Sequence, residues 1–248
     1  MRPIALITGG SRGIGAATAL LLAEQGYDLC ISYRERPAEA GKIVEACEAL
    51  GVKAIALQAD ISREEDVERL FRELDNRLGR LNALVNNAGM LMQQTRVENL
   101  SAKRINKILQ TNVTGTLLCC REAIKRMSIA RDGNGGAIVN VSSGAARSGS
   151  PNEYVDYAAS KGAVDSLTIG LSKEVAREGI RVNAVRPGLI HTGMHADGGE
   201  PHRVDRLKSA IPLGRGGHDR EVAEAIAWLI SDKASFSTGT FIDVTGGL

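Results

Sequence analysis

Short apolar runs recur along the chain, and between them apolar residues return every three or four positions. Ile4-Ala5-Leu6-Ile7 is the first run. So short a continuous run marks a strand buried on both faces, as parallel strands are. Further strands are predicted at 28–33, 54–58, 81–85, 137–141, 180–185 and 240–244. Helical spacing falls at 16–25, 37–50, 63–78, 101–127, from the residues around Tyr157 to about 178, and at 220–231. Gly26 and Gly179 are natural helix stops. Ser62 reads as an N-cap, with Glu65 completing a capping box. Strand and helix alternate throughout, which predicts one α/β domain over 1–248. Its frame is a doubly wound sheet of about seven parallel strands with helices on both faces.

The joints between these elements carry the chemistry. The first strand flows into Thr8-Gly9-Gly10-Ser11-Arg12-Gly13-Ile14-Gly15 and then a helix. A glycine turn at a helix N-terminus offers free N–H groups and the positive dipole end to an anion. The second strand ends Ser32-Tyr33-Arg34, with no acid at its tip and Glu35 one residue later. Dinucleotide folds place a ribose-binding acid there, or an arginine where the ribose carries a 2′-phosphate. Arg12 and Arg34 therefore point to NADP rather than NAD.

The fourth strand runs into Asn86-Asn87-Ala88-Gly89, polar and turn-forming at the sheet edge where open α/β folds bind ligands. The long helix at 101–127 carries Thr111-Asn112-Val113-Thr114-Gly115-Thr116 at its centre, a poor helix former. Three readings of Asn112 stay open from the residues alone: it supports a backbone distortion, holds a water, or is simply buried against another helix. Residues 189–217 are rich in Gly, Pro and charge, which reads as a mobile lid with a short helix near 204–209.

Tyr157 and Lys161 stand four apart on one helix face. An ammonium so placed pulls a phenol from about 10 toward neutrality. The same spacing also serves as an ordinary surface pair. His191 and His195 share it, but they straddle Gly193 without a third ligand, so no metal is expected.

Composition narrows the class. A net charge of +2 gives no nucleic-acid footprint. No apolar run approaches the length of a membrane span, and the first strand begins without a leader pattern. Cys30, Cys47, Cys119 and Cys120 form no CxxC and read as reduced thiols of a cytoplasmic protein.

Thr8-Gly9, Gly13-Ile14-Gly15, Asn86-Asn87-Ala88-Gly89, Asn112, Ser143, Tyr157, Lys161 and Pro187-Gly188 with Thr192 follow one another in the order found in short-chain dehydrogenases/reductases. The whole chain resembles that family, close to its glucose/polyol dehydrogenase-like and 3-oxoacyl-carrier-protein reductase-like members. The resemblance implies a Rossmann-type fold, NADP(H) and a carbonyl or alcohol substrate. It makes Tyr157 the acid/base, and gives Lys161 the nicotinamide ribose and the lowering of the phenol pKa. Ser143, the second of two adjacent serines, would hold the substrate oxygen, and Asn112 a relay water. Asp60 would meet the adenine, Asn87 the ribose, and Ile190 and Thr192 the carboxamide, with Ile61, Ala88 and Gly89 also against the cofactor. Tyr154 has no lysine four residues on and is set aside. The family usually forms homotetramers through the helices at 101–127 and 155–178. Two other readings stay open: reduction of a 3-oxoacyl thioester, with Lys125, Arg126 and Arg131 docking an acidic carrier protein, and a non-catalytic NADPH-sensing regulator.

Overall fold

The computed structural model describes residues 2–248. The strands are β1 (Ile4–Ile7), β2 (Asp28–Tyr33), β3 (Ala54–Gln58), β4 (Ala83–Asn86), β5 (Gly136–Val141), β6 (Ile180–Pro187) and β7 (Phe241–Val244). Among the described residues they form one parallel sheet in the order β3-β2-β1-β4-β5-β6-β7. Strand order reverses between β1 and β4, which opens a crevice at their carboxyl ends.

The pleat of β1 explains its continuous apolar run. Ala5 and Ile7 enter one core, and Ile4 and Leu6 enter the other. The first core is covered by α1 (Gly13–Glu24), α2 (Pro37–Ala49) and, late in sequence, Asp219–Ile230. The second is covered by α3 (Glu64–Arg77), Gly115–Met127 and Val155–Glu174. On α3 the buried residues Val67, Leu70, Phe71 and Leu74 follow helical spacing and leave the charges outside.

Several local expectations are corrected. Ser62 does not cap α3: its hydroxyl and N–H both bond Asp60 Oδ1, and no side chain caps the helix. The Asx turn at Asp60 competes successfully for the groups a capping box needs. The long helix at 101–127 is three pieces: α4 (Ala102–Leu109), a π turn (Gln110–Thr114) and α5 (Gly115–Met127). The loop after β5 holds a short helix, α6 (Ala145–Ser148), before α7 (Val155–Glu174). Residues 189–217 hold two short helices, α8 (Met194–Asp197) and α9 (Arg203–Leu207), and α10 (Asp219–Ile230) follows. The α9 helix matches the short helix expected near 204–209; α6 and α8, one turn each, are too short for periodicity to reveal.

Candidate active site

The glycine turn is shaped by contacts that admit no side chain. Gly9 and Gly13 have φ of 65° and 53°. A Cβ on Gly15 would lie 2.5 Å from both Asn87 Nδ2 and the Gly9 carbonyl. No side chain caps the start of α1 and no acid sits in its first turn. Thr8 and Asn87 hold this turn to the end of β4. Thr8 Oγ1 accepts from the N–H groups of Asn87 (3.1 Å) and Ala88 (3.0 Å). Asn87 Nδ2 donates to the Thr8 (2.9 Å) and Gly9 (3.0 Å) carbonyls. The Asn87 amide nitrogen is thus bonded to the backbone of the glycine turn.

A cavity of about 340 Å³ lies over this turn. Its lining includes Gly9, Ser11, Arg12, Gly13, Ile14, Tyr33, Arg34, Asp60, Ile61, Asn87, Ala88, Gly89 and Thr192, all expected from sequence. Gly15, Tyr157, Lys161, Pro187, Gly188 and Ile190 do not line it. Ile190 is buried in the first core, and its carbonyl contacts His195 Nε2 at 3.0 Å. Arg36, Met90, Leu91, Thr111, Met194 and Asp197 line the cavity without having been expected. Arg36 was legible as another cation in the loop that holds Arg34. Met194 and Asp197 were not, because only the path of the 189–217 segment brings them there.

The two nucleotide-side arginines are not free. Arg34 pairs with Glu35 at 2.8 Å, and Arg12 with Asp197. The sequence treats both as open cations. Adjacent and long-range carboxylates claim them instead, although both pairs remain solvent-exposed and weak.

The other side of the site is built on α7. Lys161 is buried, and its Nζ donates to the Val141 carbonyl at 2.7 Å. It lies 5.6 Å from the centre of the Tyr157 ring. A Cβ on Gly89 would come 3.4 Å from that Nζ and 3.5 Å from Asn112 Oδ1, so the cavity wall adjoins both. Burial lowers the ammonium to about 8, against the opposing pull of Asp165. Burial likewise pushes the Tyr157 phenol up to about 12, opposed only by the Ser143 hydroxyl facing it. The expected lowering of this phenol by Lys161 is therefore reversed. Desolvation disfavours the charged form of each group, and at the phenol it outweighs the one opposing contact.

The adjacent serines separate by the alternation of an extended chain. Ser142 Oγ donates to Asp165 Oδ1 at 2.6 Å, turned into α7. Ser143 faces the phenol, and its Oγ accepts from the Ala145 N–H at 3.1 Å, which leaves its own proton for another acceptor.

Asn112 sits in the π turn, fully buried. Its Oδ1 accepts from Met90 N at 2.8 Å, and its Nδ2 donates to the Met90 carbonyl (3.1 Å) and Ser160 Oγ (3.0 Å). Its own carbonyl accepts from Thr116 Oγ1 at 2.8 Å. The distorted turn thus ties the cavity loop to the helix bearing Tyr157.

Tyr154 is buried beneath the 189–217 segment. Its hydroxyl donates to the Gly198 carbonyl at 3.4 Å, and the Arg203 guanidinium lies 5.0 Å from the ring centre. Arg203 pairs with Glu153 and with Glu200, the latter at 3.1 Å. His191 stacks on His218, and His195 Nε2 contacts the Ile190 carbonyl.

The family model described as "Enoyl-(Acyl carrier protein) reductase" matches residues 9–248. The Escherichia coli protein named "Uncharacterized oxidoreductase YgfF" is 62% identical over 98% of this chain and 99% of its own. The 3-oxoacyl-[acyl-carrier-protein] reductase FabG of Staphylococcus aureus is 36% identical over 100% of this chain and 98% of its own. A short chain dehydrogenase from Burkholderia cenocepacia, solved in complex with NADP, superposes with a TM-score of 0.90. It is 32% identical over 99% of this chain and 97% of that one. The chain belongs to the short-chain dehydrogenase/reductase family of oxidoreductases.

Proposed function

We propose that this protein is an NADP(H)-dependent carbonyl reductase or alcohol dehydrogenase acting on a sugar, polyol or small ketone. The observation that carries the reading is the convergence of Tyr157, Ser143, Lys161 and Asn112 beside a cavity lined by Arg12, Arg34 and Arg36. The cradle fits a dinucleotide: the turn is bare of Cβ atoms where a pyrophosphate must approach, and the uncapped α1 terminus faces it. A structural relative carries NADP in its solved complex.

The nicotinamide, when bound, supplies or accepts the hydride. The chain's own groups manage the proton. A phenol held protonated near neutrality is a proton donor, so Tyr157 protonates the substrate oxygen in the reductive direction. Ser143, whose hydroxyl proton is uncommitted, holds the same oxygen. Lys161 keeps a positive charge at the site below about pH 8, which stabilises developing alkoxide charge. Asn112 keeps Met90 and Ser160 in register with the phenol's helix. The 189–217 segment closes the site as a lid.

Reduction of a 3-oxoacyl thioester is the second reading, favoured by the full-length likeness to FabG. Against carrier docking, Lys125 is tied to Glu122, and Arg126 to Glu122 and Asp75. A sensor has no use for the assembled proton-transfer groups. The four cysteines are buried free thiols, in keeping with a reduced cytoplasmic setting, and no described helix is long and apolar enough to cross a membrane. Exposed Leu109, Leu117 and Ile169 lie on α4, α5 and α7, which supports a homotetramer joined through these helices. The test is a panel of sugars, aldehydes, ketones and a 3-oxoacyl thioester followed by NADPH absorbance. Failure to turn over any carbonyl, or turnover indifferent to Tyr157→Phe, overturns the proposal.

A further inference from the structure

The Arg12 guanidinium reaches from the glycine turn to the 189–217 segment. Its Nη2 donates to Asp197 at the end of α8. Its Nη1 lies against Gly193, where a Cβ would come within 3.0 Å of it. Gly193 thus leaves the space in which the guanidinium rests. Both Arg12 and Asp197 line the cavity that holds Ser11, Tyr33 and Arg34.

All three arginines of this cavity carry protein carboxylates, but not of one kind. Arg34 pairs with the next residue, Glu35, and Arg36 with Glu39 three residues on, at 3.6 Å. Those pairs belong to a single loop and helix start. The carboxylate on Arg12 is 185 positions away in sequence. It is the one anion of the three that the 189–217 segment delivers to the cavity.

A 2′-phosphate approaching Arg12 is a strong multidentate anion and competes with a single carboxylate for the same donors. We propose that Asp197 is a cofactor-selectivity residue: it occupies Arg12 as an internal stand-in for the phosphate and must yield the guanidinium when NADP(H) binds. This rests on the assignment of Arg12 and Arg34 to the 2′-phosphate. Asp197 lowers the affinity for NADP(H) and narrows the discrimination against NAD(H), while it fastens the segment to the glycine turn.

The test is titration of the full-length protein with NADPH and with NADH, as wild type, Asp197→Asn, Arg12→Gln and the double variant. Both residues of the pair are well exposed, so neither change threatens folding. Asp197→Asn is expected to tighten NADPH about two- to fivefold, the span set by an exposed ion pair, and to move NADH by less. In the Arg12→Gln background the gain should vanish, because nothing remains to compete for. Unchanged or weaker NADPH binding in Asp197→Asn overturns the proposal. A gain that persists without Arg12 also overturns it, since simple repulsion then accounts for the effect. A wild type with equal affinity for NADPH and NADH removes both this inference and the cofactor reading beneath it. Preserved NADPH preference without a gain in Asp197→Asn removes only the role of Asp197.

Discussion

Lys161 shares a helix face with Tyr157, yet its ammonium donates to the Val141 carbonyl at 2.7 Å and stands 5.6 Å from the phenol ring centre. The pair is therefore a half-buried phenol beside a buried cation, each pushed toward its neutral form. Tyr157→Phe keeps the ring and its packing and removes the proton. It should cost at least about 10² in kcat, the usual worth of a positioned proton donor, with NADPH affinity nearly unchanged. Tyr154→Phe loses one long hydrogen bond to Gly198 and should keep most of the activity. Steady-state kinetics and NADPH titration on both variants decide the matter. Near-normal turnover by Tyr157→Phe would contradict the mechanism.

The depressed Lys161 ammonium has a thermodynamic signature. Below about pH 8 it is charged in both folded and unfolded chains, and the full burial cost is felt. Between about 8 and the unfolded value near 10.5, the folded chain sheds the proton first. The unfolded state then binds more protons, so stability rises with pH. Tyr157 has the opposite sign, but only above about pH 10, where an unfolded phenol ionises first. From pH 8 to 10, wild type should gain relative to Lys161→Met by no more than about 3 kcal/mol, at 1.36 kcal/mol per pKa unit. Urea midpoints across that range measure it. A pH-independent difference would mean that the ammonium is not depressed.

Asn112→Ala removes three hydrogen bonds at once and strands the Met90 backbone and Ser160. Unsatisfied buried groups cost about 1–3 kcal/mol each, and partial relaxation should bring the total to roughly 2–4 kcal/mol. Faster amide exchange at Met90 and its neighbours should accompany the loss. Thr116→Val keeps the Asn112 side chain and deletes a single bond to its carbonyl, so it should cost about 1 kcal/mol.

The 189–217 segment is also fastened by Arg203, which contacts Glu153, Glu200 and Tyr154 together. Arg203→Met keeps the apolar stem and removes the fork. Hydrogen exchange should rise across 194–210 while the sheet stays protected, and KM should increase more than kcat falls. Equal protection in variant and wild type would show that the segment is held by packing alone.

Much of this was written in the chain locally. A run such as Ile4–Ile7 fits both faces of a pleat, and a glycine turn before a helix allows few conformations. The sequence alone therefore determined the doubly wound sheet, the glycine cradle and the shared face of Tyr157 and Lys161. Local rules also misled where two local bonds competed, as at Ser62, whose groups went to Asp60 instead of the α3 terminus. What only the tertiary structure decided are the quantities set by distant neighbours and by water. The direction of the Tyr157 and Lys161 shifts follows from the desolvation that the packed site imposes on each. The fate of Arg12 follows from a carboxylate that the chain brings back after 185 residues. Ser142 and Ser143 are adjacent and chemically alike, and they part because α7 packs on one of them and leaves the other facing the phenol. Periodicity encodes which face of an element is buried; it does not encode what lies across from that face, and electrostatics depends on both.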